Sequence, residues 1–217
     1  MKHSYPTLYL FNNVFFPQTI IPLTLSDPAS VAVLKACYKD DQNLILYHPG
    51  EREKKIGTLG KIIFIEKNDD NGLTALVQGL VRVRLLSQEQ HIPFPVYKCE
   101  THFDINDQLT ILDNSIERLH YILESWLIRH VSAVKERERF IKEMSKPQKL
   151  INYICMFIIK DNELKEILLE STSLAERIRL LDALLRGKSP DTEDLDMGLA
   201  IKNFERMEPG PNQKNAV

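Results

Sequence analysis

The chain has 217 residues, enough for one large domain or two modest ones, and a chain this long buries enough surface to need no disulfide or metal staple. Its 28 lysines and arginines are matched by 30 aspartates and glutamates, evenly on either side of residue 105, which argues against the basic surplus of a dedicated nucleic-acid binder. Cys37, Cys99 and Cys155 have neither zinc nor thioredoxin spacing and predict a reducing compartment. The N-terminus lacks a continuous apolar stretch and a small-residue cleavage site, and the run from Tyr153 to Ile159 is far short of the roughly 20 residues that span a bilayer. A soluble, cytoplasmic protein without membrane contact is expected.

In chain order, Thr7–Phe11 reads as a short apolar strand. Phe15-Phe16-Pro17 and Ile20-Ile21-Pro22-Leu23 follow, and their prolines read as a loop, because proline removes a ladder donor. Asp27-Pro28 starts a helix with Val31, Leu34 and Tyr38 on its apolar face, and Leu44–Tyr47 is a second strand. A longer strand begins at Gly57 and ends at the NDDNG turn of 68–72, whose Asn71-Gly72 suits a tight hairpin. The return strand runs from Leu73 through Gly79, where a bulge or bend is expected, to Leu86. Val81, Val83 and Leu85 there alternate with Arg82 and Arg84, predicting one buried and one solvated face. Val96–Phe103 supplies one more strand, and several strands around a single helix suggest a compact β-barrel or pseudo-barrel.

The period changes near Asp104. Leu109, Leu112, Ile116, Leu119, Leu123 and Trp126 step by three and four, the apolar seam of a long helix able to pack within the chain or against a second copy. Residues 129–146 are charge-dense and predict a solvated helix. Pro147 restarts a helix whose face carries Leu150, Ile151, Ile154 and Ile158, and Asp161 caps the next. Ser173 and Glu176 have capping-box spacing ahead of a last helix that Gly187 closes, and the polar stretch from Ser189 onward is expected to be loosely held.

Catalytic and cofactor motifs are absent from the sequence. GTLGK at 57–61 lacks the spacing and the hydroxyl residue of a phosphate loop, and no Rossmann fingerprint, HExxH or GxSxG occurs. His91, Cys99 and His102 match no recurrent zinc pattern, His120 and His130 read as helix histidines, and Trp126 reads as a core anchor. A non-enzyme without cofactor or metal is expected.

The ordered series Leu8–Leu10, Phe16-Pro17, Pro22-Leu23, Gly57-Thr58 and Gly79–Arg82, with the leucine-rich helix, polar break and E-R-x-x-x-L helix of 162–185, resembles the N-terminal substrate-recognition domain of the ATP-dependent Lon proteases over residues 7–186. That resemblance implies an α+β fold: a PUA-like β pseudo-barrel over 1–105, an α-helical bundle over 106–187 and a polar tail over 188–217. The polar ending resembles a natural tail and predicts a free-standing relative without ATPase or protease modules. The implied function is non-catalytic recognition of exposed apolar or unfolded polypeptide segments, as a quality-control or adaptor module working with a separate protease or chaperone. Phe15, Phe16, Ile20 and Ile21 are the candidate polypeptide-binding residues, on the expectation that the proline-broken loop leaves apolar side chains near the surface. The alternatives are an RNA-binding barrel using Arg82, Arg84 and Lys61, which the balanced charge disfavours, and a partner-specific interaction scaffold with weak self-association through the helical half.

Overall fold

The computed structural model describes residues 3–39, 41–68, 72–105, 108, 109 and 112–186. Its first half comprises β1 (His3–Tyr9), β2 (Ile20–Leu25), α1 (Pro28–Lys39), β3 (Asn43–Tyr47), β4 (Ile56–Lys67), β5 (Leu73–Gln90) and β6 (Val96–Thr101). The strand order is β2-β5-β4-β3-β1-β6, and β6 also pairs back onto β5. Strands β5, β4, β3, β1 and β6 therefore close a barrel, which removes their free edges, and β2 extends the sheet beyond it. Ile45, Tyr47, Val83, Leu85, Tyr97 and Cys99 fill a small interior core, while the outer face of β3 and β4 packs toward the helices through residues such as Leu46 and Ile62.

β5 is long because it changes partner along its length. Leu73–Leu76 and Val77–Gln78 face β2, and Val83–Gln90 faces β6 on the same edge. The change falls at the expected glycine: Gly60 pairs with Gly79 but Leu59 pairs with Val81, so Leu80 is the extra residue of a bulge. A Cβ on Gly79 would sit 2.5 Å from the Phe16 carbonyl oxygen and 2.9 Å from the Phe15 ring. Gly79→Val is thus expected to destabilise the chain by about 2–3 kcal/mol, seen as a lower urea midpoint at unchanged m.

β2 corrects the sequence reading, which took Ile20–Leu23 as loop. Gly79 donates its N–H to the Thr19 carbonyl at 2.8 Å, so alternate residues from Thr19 bond to β5 and those between them turn their backbone groups outward. Pro22 falls in the outward set, opposite Leu76, where its missing donor costs no ladder bond.

The helical half comprises α2 (Asp113–His130), α3 (Val134–Glu143), α4 (Pro147–Phe157), α5 (Asn162–Glu170) and α6 (Leu174–Leu185). The expected caps form: Asp27 Oδ1 accepts from the Ser30 N–H at 2.8 Å, Asp161 Oδ1 from Leu164 at 2.9 Å and Ser173 Oγ from Glu176 at 3.1 Å. Gly187, the expected helix stop, and Asn71 of the hairpin lie outside the described residues. α4 is the central helix, buried continuously from Leu150 to Met156, with α2 and α6 packed on it. The α2 seam is used within the chain: Leu119, Leu123 and Trp126 are buried, and the indole stacks on His130 at 4.2 Å. The charge-dense α3 buries no residue. On α1 the buried set is Val31, Val33, Leu34 and Cys37; Cys37 projects between Val33 and Leu34, at the middle of the buried face, whereas Tyr38, expected on that face, is exposed in the last turn of the helix.

Asp182 on α6 binds Arg118 and Ser115 of α2 and Arg186, the residue that ends its own helix. The Arg118 hydrogen bond chiefly, with Arg186 and Ser115 behind it, holds the Asp182 carboxyl far below the usual carboxylate range. A depressed folded-state pKa gives stability that is present above the unfolded value, about 3.9, and is lost as the pH falls through the folded one. Asp182→Asn is therefore expected to lower Tm at pH 7, and the gap from wild type should shrink progressively below about pH 5 in a thermal-melt series.

The two halves meet at Arg82. Its Nη1 donates to the Leu169 carbonyl at 2.8 Å and the Ser171 carbonyl at 2.6 Å, at the end of α5, and its Nη2 pairs with Asp104. Asp104 also accepts from Arg177 of α6 at 2.6 Å and from Gln148 of α4 at 2.6 Å. His102 Nε2 lies 2.8 Å from the Glu170 carbonyl, and the Ile105 N–H donates to the Thr172 carbonyl at 3.0 Å. Burial, then the neighbouring Arg177, pulls the Arg82 pKa down to about 10 against the pull of Asp104, which leaves it a cation at neutral pH.

Candidate functional site

The sheet register fixes which side chains share a surface, because residues paired across antiparallel strands point to the same face. Across β4, β5 and β2 the rows Ile62–Val77–Ile21 and Ile65–Ala75–Leu23 face the core. The rows that alternate with them, Lys61–Gln78–Ile20, Phe64–Leu76–Pro22 and Glu66–Thr74–Thr24, take the opposite face. The hydroxyls of Thr24 and Thr74 meet there at 3.1 Å.

This outer face is apolar at its centre. Phe64 is 43% exposed, beside buried Leu76 and half-buried Pro22 and Ile20. A second bulge adds to it: Ile62 pairs with Val77 and Phe64 with Leu76, so Ile63 is the unpaired extra residue and is 46% exposed. Strict alternation would have turned one of these neighbours inward. The bulge instead presents two large apolar side chains in succession on a solvated sheet face. Other exposed apolar residues include Ile92 on a connecting loop and Tyr121 and Ile128, two turns apart on one face of α2, where the residues of the turn between them are largely polar or buried.

The residues expected from sequence to bind polypeptide divide between the two faces. Phe15, Phe16 and Ile21 are core residues, at most 7% exposed, and as folded they offer no surface to a ligand. The segment holding the two phenylalanines folds inward because its backbone is satisfied there: Thr58 Oγ1 donates to the Phe15 carbonyl and Thr19 Oγ1 to the Phe16 carbonyl, each at 2.6 Å. Ile20 alone of the four reaches the outer face.

The three cations of the RNA alternative are also separated. Arg82 is 4% exposed and bound at the joint, which corrects the expectation of a solvated arginine face: α5 and α6 cover that part of β5. Val81, expected to be buried with Val83 and Leu85, is 41% exposed, because it falls in the gap along β5 between β2, which ends opposite Gln78, and β6, which begins opposite Val83. Arg84 is exposed and pairs with Glu100 across β6. Lys61 lies at one end of the apolar face, and neither it nor Glu66 at the other end makes an ion pair among the described residues. Lys54, from the loop before β4, is engaged with Glu170 at 3.0 Å. The signal that sequence reading missed is Ile63-Phe64, two apolar residues in succession where a two-residue period admits one, a pattern that marks a bulge or a strand buried on both faces.

Among the described residues no helix is long and apolar enough to cross a membrane. A family model described as the ATP-dependent protease La (LON) substrate-binding domain matches residues 4–186. The chain is 24% identical over 196 residues to a Lon protease of Anaeromyxobacter dehalogenans, covering 84% of this chain and 23% of that protein. It is 25% identical over 199 residues to a Lon protease of Nitrosococcus oceani, covering 85% and 25%. The chain thus spans about a quarter of the length of these curated relatives. In fold it is similar to the N-terminal domain of the Mycobacterium avium complex Lon protease, with a TM-score of 0.68 at 19% identity, covering 85% of this chain and 99% of that one. It is likewise similar to a Lon N-terminal domain protein from Xanthomonas campestris, with a TM-score of 0.62 at 15% identity, covering 83% and 98%.

Proposed function

Because this chain belongs to the family of LON substrate-binding domains, we propose that it is a non-catalytic recognition module for apolar segments of unfolded polypeptides, and that the outer face of β2, β5 and β4 is its binding surface. The observation that carries this reading is the bulge exposing Ile63 and Phe64 together beside Ile20, Pro22 and Leu76. Apolar patches on otherwise solvated sheets are the surfaces on which partners gain most from excluding water. Pro22 on the outer edge of β2 disfavours capture by strand addition, so recognition falls to side chains on the face. In this reading the protein acts as an adaptor or quality-control module in the cytoplasm, and a separate ATPase, protease or chaperone handles the bound segment. Arg82 buried and Arg84 paired with Glu100 weigh against the RNA alternative.

The test is a fluorescence-polarisation titration of a dye-labelled, reduced and carboxymethylated polypeptide rich in Phe, Leu and Ile. Covering two half-exposed side chains accounts for about 1.5 kcal/mol, so the Ile63→Ser/Phe64→Ser variant is expected to bind roughly tenfold more weakly while remaining folded, with Tm lowered by no more than about 5 °C. A Tyr121→Ser control should bind as wild type does. An apolar contact keeps its affinity within about threefold from 0.05 to 0.5 M salt, whereas phosphate contacts would lose orders of magnitude. Equal binding by the double-serine variant would refute the proposed face.

A further inference from the structure

The apolar centre of this face lies between two opposite charges, neither of them in an ion pair among the described residues. Lys61 shares its row with Gln78 and Ile20, and Glu66 shares its row with Thr74 and Thr24, so the lysine stands one row before Phe64, Leu76 and Pro22 and the glutamate one row after. Both side chains are exposed. Lys67, the next cation, belongs with Leu73 and Leu25 in a row of the opposite parity. On β5 the outer rows are four residues apart, from Gln78 to Thr74, which is about 13 Å of extended strand.

Resting on the reading of this face as a polypeptide site, we propose that its preferred ligand is an extended segment with an apolar residue at the centre, an acidic residue two positions to one side and a basic residue two positions to the other. Residues two apart in an extended chain project to the same side at the spacing of the rows. The acidic residue meets Lys61, the central side chain covers Phe64 and Leu76, and the basic residue meets Glu66. Recognition is through side chains, so chain direction is free and both charge orders bind by reversing. A segment with two like charges instead loses one attraction and gains one repulsion in either direction.

The experiment titrates dye-labelled 15-residue peptides whose central motif is Asp-Ser-Phe-Ser-Lys, Lys-Ser-Phe-Ser-Asp, Asp-Ser-Phe-Ser-Asp or Lys-Ser-Phe-Ser-Lys, with neutral Ser-Ser-Phe-Ser-Ser as reference. At 0.05 M salt the two mixed-charge peptides are expected to bind alike and about threefold to tenfold tighter than either like-charge peptide, and the gap should close by 0.5 M. Lys61→Glu should move the preference to the doubly basic peptide, and Glu66→Lys to the doubly acidic one. These are exposed positions, and circular dichroism checks that both variants fold as wild type does. If the reference peptide binds but the ranking follows net charge alone and neither substitution shifts it, the charge preference is wrong and the apolar site stands. If neither the peptides nor the unfolded polypeptide bind the folded protein, both the preference and the site are overturned.

Discussion

Replacing Arg82 with alanine is expected to lower the unfolding free energy by about 3–5 kcal/mol, the usual cost of removing one partner from a buried, hydrogen-bonded charge pair. The substitution would strip the Leu169 and Ser171 carbonyls of their donor and remove one of the cations on Asp104. For a folded unit of this size the Tm should fall by roughly 10 °C. Arg82→Lys should recover less than half, since an ammonium on a flexible stem cannot reproduce the planar fork that reaches three acceptors. Arg84→Ala, two residues on, removes an exposed pair with Glu100 and should cost under about 0.5 kcal/mol. The check is urea denaturation of all three variants. An Arg82→Ala effect as small as that of Arg84→Ala would mean that the joint does not hold the barrel to the helices.

Phe16→Ala should be comparably severe, at about 3–5 kcal/mol, because Phe16 is fully buried and truncating it leaves a cavity in the core. Phe15 packs against Gly79, where the sheet bends, so a double Phe15→Ser/Phe16→Ser variant would both empty the core and place unpaired hydroxyls in it. Its expected phenotype is loss of the folded state by circular dichroism at 37 °C. Phe64→Ser sits on the solvated face and should change stability by less than about 1 kcal/mol. A folded Phe15→Ser/Phe16→Ser variant that had lost only polypeptide binding would restore the proline-broken loop as the ligand surface.

The features legible in the sequence were those set by neighbours along the chain. Asp27, Asp161 and Ser173 cap helices because an acceptor three residues ahead of an orphan N–H is a local fact, and Gly79 marked its bulge because a glycine interrupts the strand's run of apolar and β-branched residues. Trp126 and the α2 seam were legible from a 3.6-residue period. Positions decided by distant packing were not. Arg82 alternates with Val83 like any solvated strand residue, and only the approach of α5 and α6 makes it a buried cation. Ile20–Leu25 carries a proline that argues against a strand, and the residue is tolerated because it occupies an outward position on an edge. The candidate site escaped for a similar reason: bulky residues beside prolines drew attention to Phe15 and Phe16, while the exposure of Ile63 and Phe64 depends on a one-residue slip between β4 and β5.

The proposed landing site for polypeptide is the outer face of β2, β5 and β4. Methyl-resolved NMR of protein labelled at isoleucine, leucine and valine, titrated with the carboxymethylated polypeptide, tests it most directly. Shifts or broadening concentrated at Ile20, Ile63 and Leu76, with Ile128 on α2 and Ile167 on α5 unmoved, are the predicted result. Perturbations centred on the helical methyls with the three sheet residues silent would contradict it and place the binding surface elsewhere on the molecule.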